Sequence, residues 1–253
     1  SLFLSPDYGI LLFMTEEIKI INDIEKACEF CEREFTHEEL FEILRGEDDV
    51  KKQICILKIK ELKTPEEAQL LVFHLTEHHG IVRESTAQKL NEIILNGKYN
   101  KLFQNKYAMD SFLKGINDIN PNICRTLIEA IPKLIEGSDY REYFFEKLYN
   151  RIEEVFEELE RLKRSNRYTK KLFNLYWCLE MLAYGNAPFD NRLFSILKRT
   201  CKFRDYTIRE KSAMILANHS KRESSPLEKE WEELKESLKD DPNFYVRHYV
   251  SKF

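Results

Sequence analysis

Cys28 and Cys31 form a Cys-x-x-Cys pair, and His74 and His78 are four residues apart, which together number the four ligands of a tetrahedral zinc site. Imidazoles at i and i+4 share one helix face. The cysteines, however, continue the series Ile18, Ile21 and Ile24 at spacings of three and four, the register of a helix face turned to a core. No second Cys-x-x-Cys follows, and no strand pattern precedes the pair as thioredoxin-type chemistry would need. The residues are therefore expected to be core thiols and a solvent-facing histidine pair, with no metal. Carboxylate pairs such as Glu153-Glu154 and Glu157-Glu158 could divide acid and base work, but on an amphipathic helix they form a solvated face. A Gly-rich phosphate loop, a serine nucleophile elbow and His-Glu-x-x-His are all absent from the sequence. Nothing in these residues supports enzyme activity, and no cofactor is expected.

Two basic clusters offer binding rather than catalysis. Arg161, Lys163, Arg164, Arg167, Lys170 and Lys171 fall within eleven residues, and Lys198, Arg199, Lys202 and Arg204 form a second group. Tyr168 and Phe203 are interleaved with them, a mixture suited to nucleic acid, through phosphate contact and base stacking, or to an acidic partner. A plainer explanation is that cations near helix C-termini answer the helix dipole. The whole chain does not advertise a polyanion: 40 basic against 44 acidic residues leave a net charge of -4.

The elements that must carry these residues are helices at a repeating interval. Asp205 to His219 opens with Ile208-Arg209, followed by Ala213 and Leu216, and Val82, Arg83, Ala87 and Leu90 repeat that spacing. Val246-Arg247 begins it again after Asp241-Pro242. Looser copies begin at Val50, at Ile123-Cys124-Arg125 and near Thr169, so the starts lie 32 to 45 residues apart. That is the period of an array of paired helices. Physically, Asp, Asn or Pro caps the free amides at each entry, the alanine lets two helices approach, and the leucine fills the seam.

Over roughly residues 48 to 253 this pattern resembles the HEAT-repeat family, whose first helices open with a turn and then Val-Arg. The resemblance implies an all-α, right-handed α-solenoid of about six helical pairs, with the second helices lining a concave face. The recurrent arginine is then expected to reach a carboxylate or carbonyl of the neighbouring repeat. His37-Glu38 and Glu77-His78 invite comparison with the iron-binding HEAT-repeat hydroxylases, but neither pair occupies the required helix position or shows the required symmetry. Phycobilin lyases are built from similar repeats, yet no chromophore site is identifiable here. HEAT-like DNA glycosylases use a concave basic surface, but their acidic catalytic residue and aromatic cleft have no matching positions.

In chain order, residues 1–13 are expected to be a leader or an N-terminal arm, and residues 14–253 a single repeat domain whose last repeat is half complete. Helical pairs are expected over 15–45, 48–79, 81–116, 122–162, 168–201 and 205–239, with Pro132 kinking its helix and Trp231 anchoring the last one. Apolar residues make up 43% and charged residues 33% of the chain, which suits a solvated helical protein. No membrane-spanning run or secretory signal is present in the sequence, so the six cysteines are expected to be reduced and the chain cytoplasmic. The function expected is a non-enzymatic scaffold that binds a protein partner along the concave face or the ridge of turns. The alternatives are a nucleic-acid-binding module on the ridge between residues 161 and 204, and base-excision or chromophore-handling chemistry in a concave pocket.

Overall fold

The computed structural model describes residues 25–162, 167–219 and 228–251, and every regular element among them is a helix. Two compact units divide the chain, Ser1–Glu61 and Leu62–Phe253. Their boundary falls in the connection inside the expected 48–79 pair. The expected leader over residues 1–13 lies outside the described residues, as do residues 220–227.

In the first unit, residues 25–32 form α1, His37–Leu44 form α2 and Asp49–Lys58 form α3. Thr36 starts α2 with a reciprocal cap: its hydroxyl accepts from the Glu39 amide at 3.2 Å, and its own amide donates to the Glu39 carboxylate at 2.9 Å. Leu40, Phe41 and Leu44 then face Cys55 and Ile56 in the core where α2 packs on α3. The expected core thiols are corrected here, because Cys28 and Cys31 are exposed. Phe30 of α1 is half-buried instead, with its ring 4.9 Å from Phe35.

The second unit contains α4 (Pro65–His74), α5 (Gly80–Asn96), α6 (Asn100–Phe103), α7 (Lys106–Gly115), α8 (Pro121–Ile135) and α9 (Arg141–Arg161). It continues through α10 (Arg167–Tyr184), α11 (Asn191–Thr200), α12 (Tyr206–His219), α13 (Glu228–Lys239) and α14 (Phe244–Val250). Helices α5, α8, α10, α12 and α14 stack in one layer, and α4, α7, α9, α11 and α13 in the other. Adjacent members of the two layers also pack together, as α4 does with α5 and α9 with α10. The result is an all-α solenoid of stacked helical pairs, in which each pair buries its apolar face on its neighbours.

Local chemistry sets the boundaries. Thr64, Asn105, Asn120, Asp190 and Asn243 each accept a backbone amide with the side chain at a helix start. Gly97 ends α5 with φ of 84°, a left-handed turn that costs a side-chain-bearing residue more. The second helix of the expected 81–116 pair is broken into α6 and α7, because Asn105 adopts an extended backbone and caps α7 afresh. Helix α8 continues through Pro132 and ends within a turn of it at Ile135. Trp231 is buried and meets Phe189 edge-on at 4.4 Å, the anchor expected for α13.

Candidate functional site

The repeated helix start is a built clamp. Val82 and Arg83 are the third and fourth residues of α5, and Ile208 and Arg209 hold the same places in α12. The apolar member of each pair is fully buried, as are Ala87, Leu90, Ala213 and Leu216 one and two turns later. The arginine fork grips the aspartate in front of the next helix of the same layer. Arg83 donates from Nε and Nη2 to Asp118 at 2.7 and 3.3 Å, and Arg209 donates likewise to Asp241 at 2.6 and 3.1 Å. Their Nη1 groups donate backward to carbonyls of the preceding turn: Glu77 and His78 for Arg83, Phe203 and Arg204 for Arg209, at 2.8 to 2.9 Å. Each aspartate also accepts an amide two residues on, from Asn120 or Asn243 at 2.8 Å. One carboxylate thereby fixes both the junction and the next cap. The hydrogen bonds from Arg209 hold the Asp241 carboxyl below its ordinary 3.8.

The third start differs from the expected Ile123-Cys124-Arg125 reading. The fourth residue of α8 is Cys124, not Arg125, and its thiol donates to the Asp118 carbonyl at 3.4 Å. That is the bond Arg247 makes from the fourth position of α14 to the Asp241 carbonyl. Burial pushes the Cys124 thiol up to about 12, so it acts as a small neutral donor. Arg125 is exposed one residue further round the helix.

Of the predicted basic residues, Lys163 and Arg164 lie outside the described residues. Arg161, Arg167 and Lys170 are exposed near the facing ends of α9 and α10. Two others are engaged by carboxylates. Lys171 bridges to Glu158, and although burial would raise the Glu158 carboxyl, Lys171 and Arg151 hold it below its ordinary 4.5. Arg199 donates to Glu153 at 2.6 Å, lies 3.7 Å from Glu160, and stacks 3.8 Å above the Phe156 ring. Lys198, Lys202 and Arg204 are exposed, and among the described residues Lys170, Lys202 and Arg204 engage no carboxylate.

Tyr168 joins these groups. It lines a groove of about 420 Å³ whose floor is Phe156, Leu159 and Phe203 and whose rim carries Glu160, Lys198, Arg199 and Lys202. It also lines a wider groove of about 930 Å³ with Arg204, Tyr206 and the Arg209 end of the clamp. Lys198, Arg199, Lys202 and Arg204, the whole second cluster, thus stand around one tyrosine from the stretch of the first.

A further cavity of about 580 Å³ lies between α8 and α10, lined by Arg125, Pro132, Tyr176, Trp177, Glu180 and Tyr184 among others. Below it Lys211 from α12 lies 2.5 Å from Glu180 and 4.8 Å over the Tyr176 ring. Burial alone would lower the Lys211 pKa, but the Glu180 bond outweighs it and lifts the group to about 12. Sequence reasoning missed this pair, whose members lie 31 positions apart and alternate with apolar neighbours.

The histidine pair is also corrected. Helix α4 ends at His74, which is buried with Nδ1 3.0 Å from Glu77, while His78 is exposed in the following turn. The two imidazoles therefore do not share a helix face. Among the described residues no three His, Cys, Asp or Glu side chains group as metal ligands, and no helix is long and apolar enough to cross a membrane.

No protein-family model and no curated protein matches the chain. Among solved structures it is similar to an engineered protein of the Northeast Structural Genomics Consortium at 14% identity and a TM-score of 0.49, covering 85% of this chain and 93% of that one. It is similar also to a designed armadillo repeat protein at 15% identity and a TM-score of 0.49, covering 84% of this chain and 95% of that one.

Proposed function

We propose that this protein is a non-enzymatic interaction scaffold of the HEAT-like kind, holding a segment of a protein partner on the edge formed by α9 to α12. The observation that carries the reading is the pair of adjoining grooves around Tyr168, which join an apolar floor to exposed cations along the edge of four consecutive helices. A solenoid exposes more surface than a globule of equal mass, and extended partners use such surfaces. Aromatic and arginine side chains beside an apolar floor are the usual anchors of protein interfaces. The second reading is a nucleic-acid-binding module on the same edge, favoured by Lys198, Lys202 and Arg204 standing exposed around grooves lined by Tyr168 and Phe203.

The test is capture from a lysate by the immobilised chain, with and without nuclease, in parallel with a Lys198→Glu/Lys202→Glu variant. Proteins that survive nuclease and are lost from the variant support the scaffold on this edge. Recovery that disappears with nuclease moves the assignment to nucleic acid.

A further inference from the structure

Resting on that scaffold reading, we infer that the 420 Å³ groove selects an acidic peptide segment carrying one aromatic anchor, rather than a nucleic-acid strand. The volume lies in the range of pockets that enclose a ligand group. Its floor is apolar, yet Phe156 is only 4% exposed and its ring face is covered by the Arg199 guanidinium at 3.8 Å. A base cannot stack there, whereas an inserted side chain can pack along the edges of Phe156, Leu159 and Phe203. Tyr168, half-buried, closes one wall.

The charges at the rim are mixed, and this decides between polymers. Lys198 in the last turn of α11 and Lys202 just past its end stand exposed, while Glu160 at the same groove is 70% exposed and Arg199 is already shared between Glu153 and Glu160. A single strand carries a phosphate at about every 3.4 Å of stacked length and cannot omit one opposite Glu160. A peptide can set Asp or Glu against the two lysines and leave a neutral residue at the glutamate. The adjoining groove beyond Tyr168 is mixed in the same way, with Arg204 beside Asp205, and offers one cation to the next residues of the segment.

The probe is a labelled peptide of about ten residues, rich in Asp and Glu with one central Trp, long enough at roughly 35 Å extended to cross both grooves. Its binding to the full chain is read by fluorescence anisotropy. Two companions are measured with it: the peptide with Ser in place of Trp, and a single-stranded oligonucleotide of equal charge. Binding by the Trp peptide is expected to weaken about tenfold without its Trp. It is expected to weaken about tenfold in Lys198→Glu/Lys202→Glu, whose far-UV circular dichroism remains unchanged because both lysines are exposed. Lys133→Glu, an exposed charge reversal on α8, is expected to bind as the unaltered chain does.

Equal binding of the Trp and Ser peptides would remove the anchor, and equal binding by the double variant would remove the groove. Tighter binding of the oligonucleotide would overturn the choice of polymer. The scaffold reading fails separately: if lysate proteins are retained equally by the chain and the double variant, only this groove is refuted, and if neither retains any, both are.

Discussion

The aspartate in front of α14 offers the sharpest test of how the solenoid is held together. Replacing Asp241 by Asn keeps an oxygen for the Asn243 amide but removes the charge from a fork whose two bonds measure 2.6 and 3.1 Å. The Asp241 side chain is 5% and the Arg209 side chain 14% exposed, so solvent screens the loss only partly. Breaking one side of a well-buried ion pair costs about 3–5 kcal/mol, and the residual access of Arg209 to water brings the expectation to about 2–3 kcal/mol. For a chain of this size that corresponds to a fall in Tm of about 5–10 °C, followed by far-UV circular dichroism. A double-mutant cycle with Arg209→Met isolates the pair, with a coupling of about 1–3 kcal/mol expected. The pH dependence has a fixed sign. The folded carboxyl lies below its ordinary 3.8, so its contribution is complete above that value and is lost as pH falls through the lower, folded one. A coupling under about 0.5 kcal/mol, within the usual additivity error, would refute the clamp as an energetic device.

Other expectations are independent of it. Cys28 and Cys31 are exposed while Cys55, Cys124, Cys178 and Cys201 are buried, with the thiols of the last three pushed up to about 12, so a thiol reagent at pH 8 is expected to label two sites rapidly in the folded chain. More than two rapid equivalents would contradict that burial. Gly115→Ala places a Cβ 2.4 Å from Leu127 Cδ1, and the resulting shift of α7 against α8 is expected to cost about 1–3 kcal/mol in denaturant unfolding. Lys211→Met strands the Glu180 carboxylate and is expected to cost about 3 kcal/mol at pH 7. In the unaltered chain the Lys211 contribution is complete below 10.5 and fades as pH rises through about 12, which alkaline unfolding curves of the two proteins would resolve.

Much of the architecture was legible because local rules repeat. Val82-Arg83, Ile208-Arg209 and Val246-Arg247 each announce a helix by a polar or Pro-containing entry followed by apolar residues at helical spacing, and the helices start within a few residues of where that pattern places them. The partners of the arginines were not legible. Asp118 and Asp241 lie 35 and 32 positions downstream, and nothing local separates them from other turn aspartates. Cys124 was hidden because Arg125 beside it imitated the motif one residue out of phase. Spacing alone also misplaced His74 and His78, since i and i+4 share a face only while the helix lasts, and α4 stops at the first of them. For Cys28 and Cys31, the apolar series read upstream does not carry into α1, where both thiols are exposed. The basic groups were visible as composition. Their division into Lys171 and Arg199, which carboxylates hold, and Lys198 and Lys202, which stand at a groove, exists only in three dimensions.

The substitution of cysteine for arginine at position 124 has a mechanical consequence. A thiol cannot grip a carboxylate with two parallel bonds, so the forks that tie α5 to α8 and α12 to α14 have no equivalent from Cys124 where α8 meets α10, the seam that also holds the 580 Å³ cavity. The forked junctions thus flank α10, which the Lys211–Glu180 pair ties to α12 but no fork ties to α8, and compliance should concentrate at the α8–α10 seam. Amide exchange along the half of α10 that faces α8 is predicted to outpace that of the clamped junctions, and equal rates would mean that packing alone sets the stiffness.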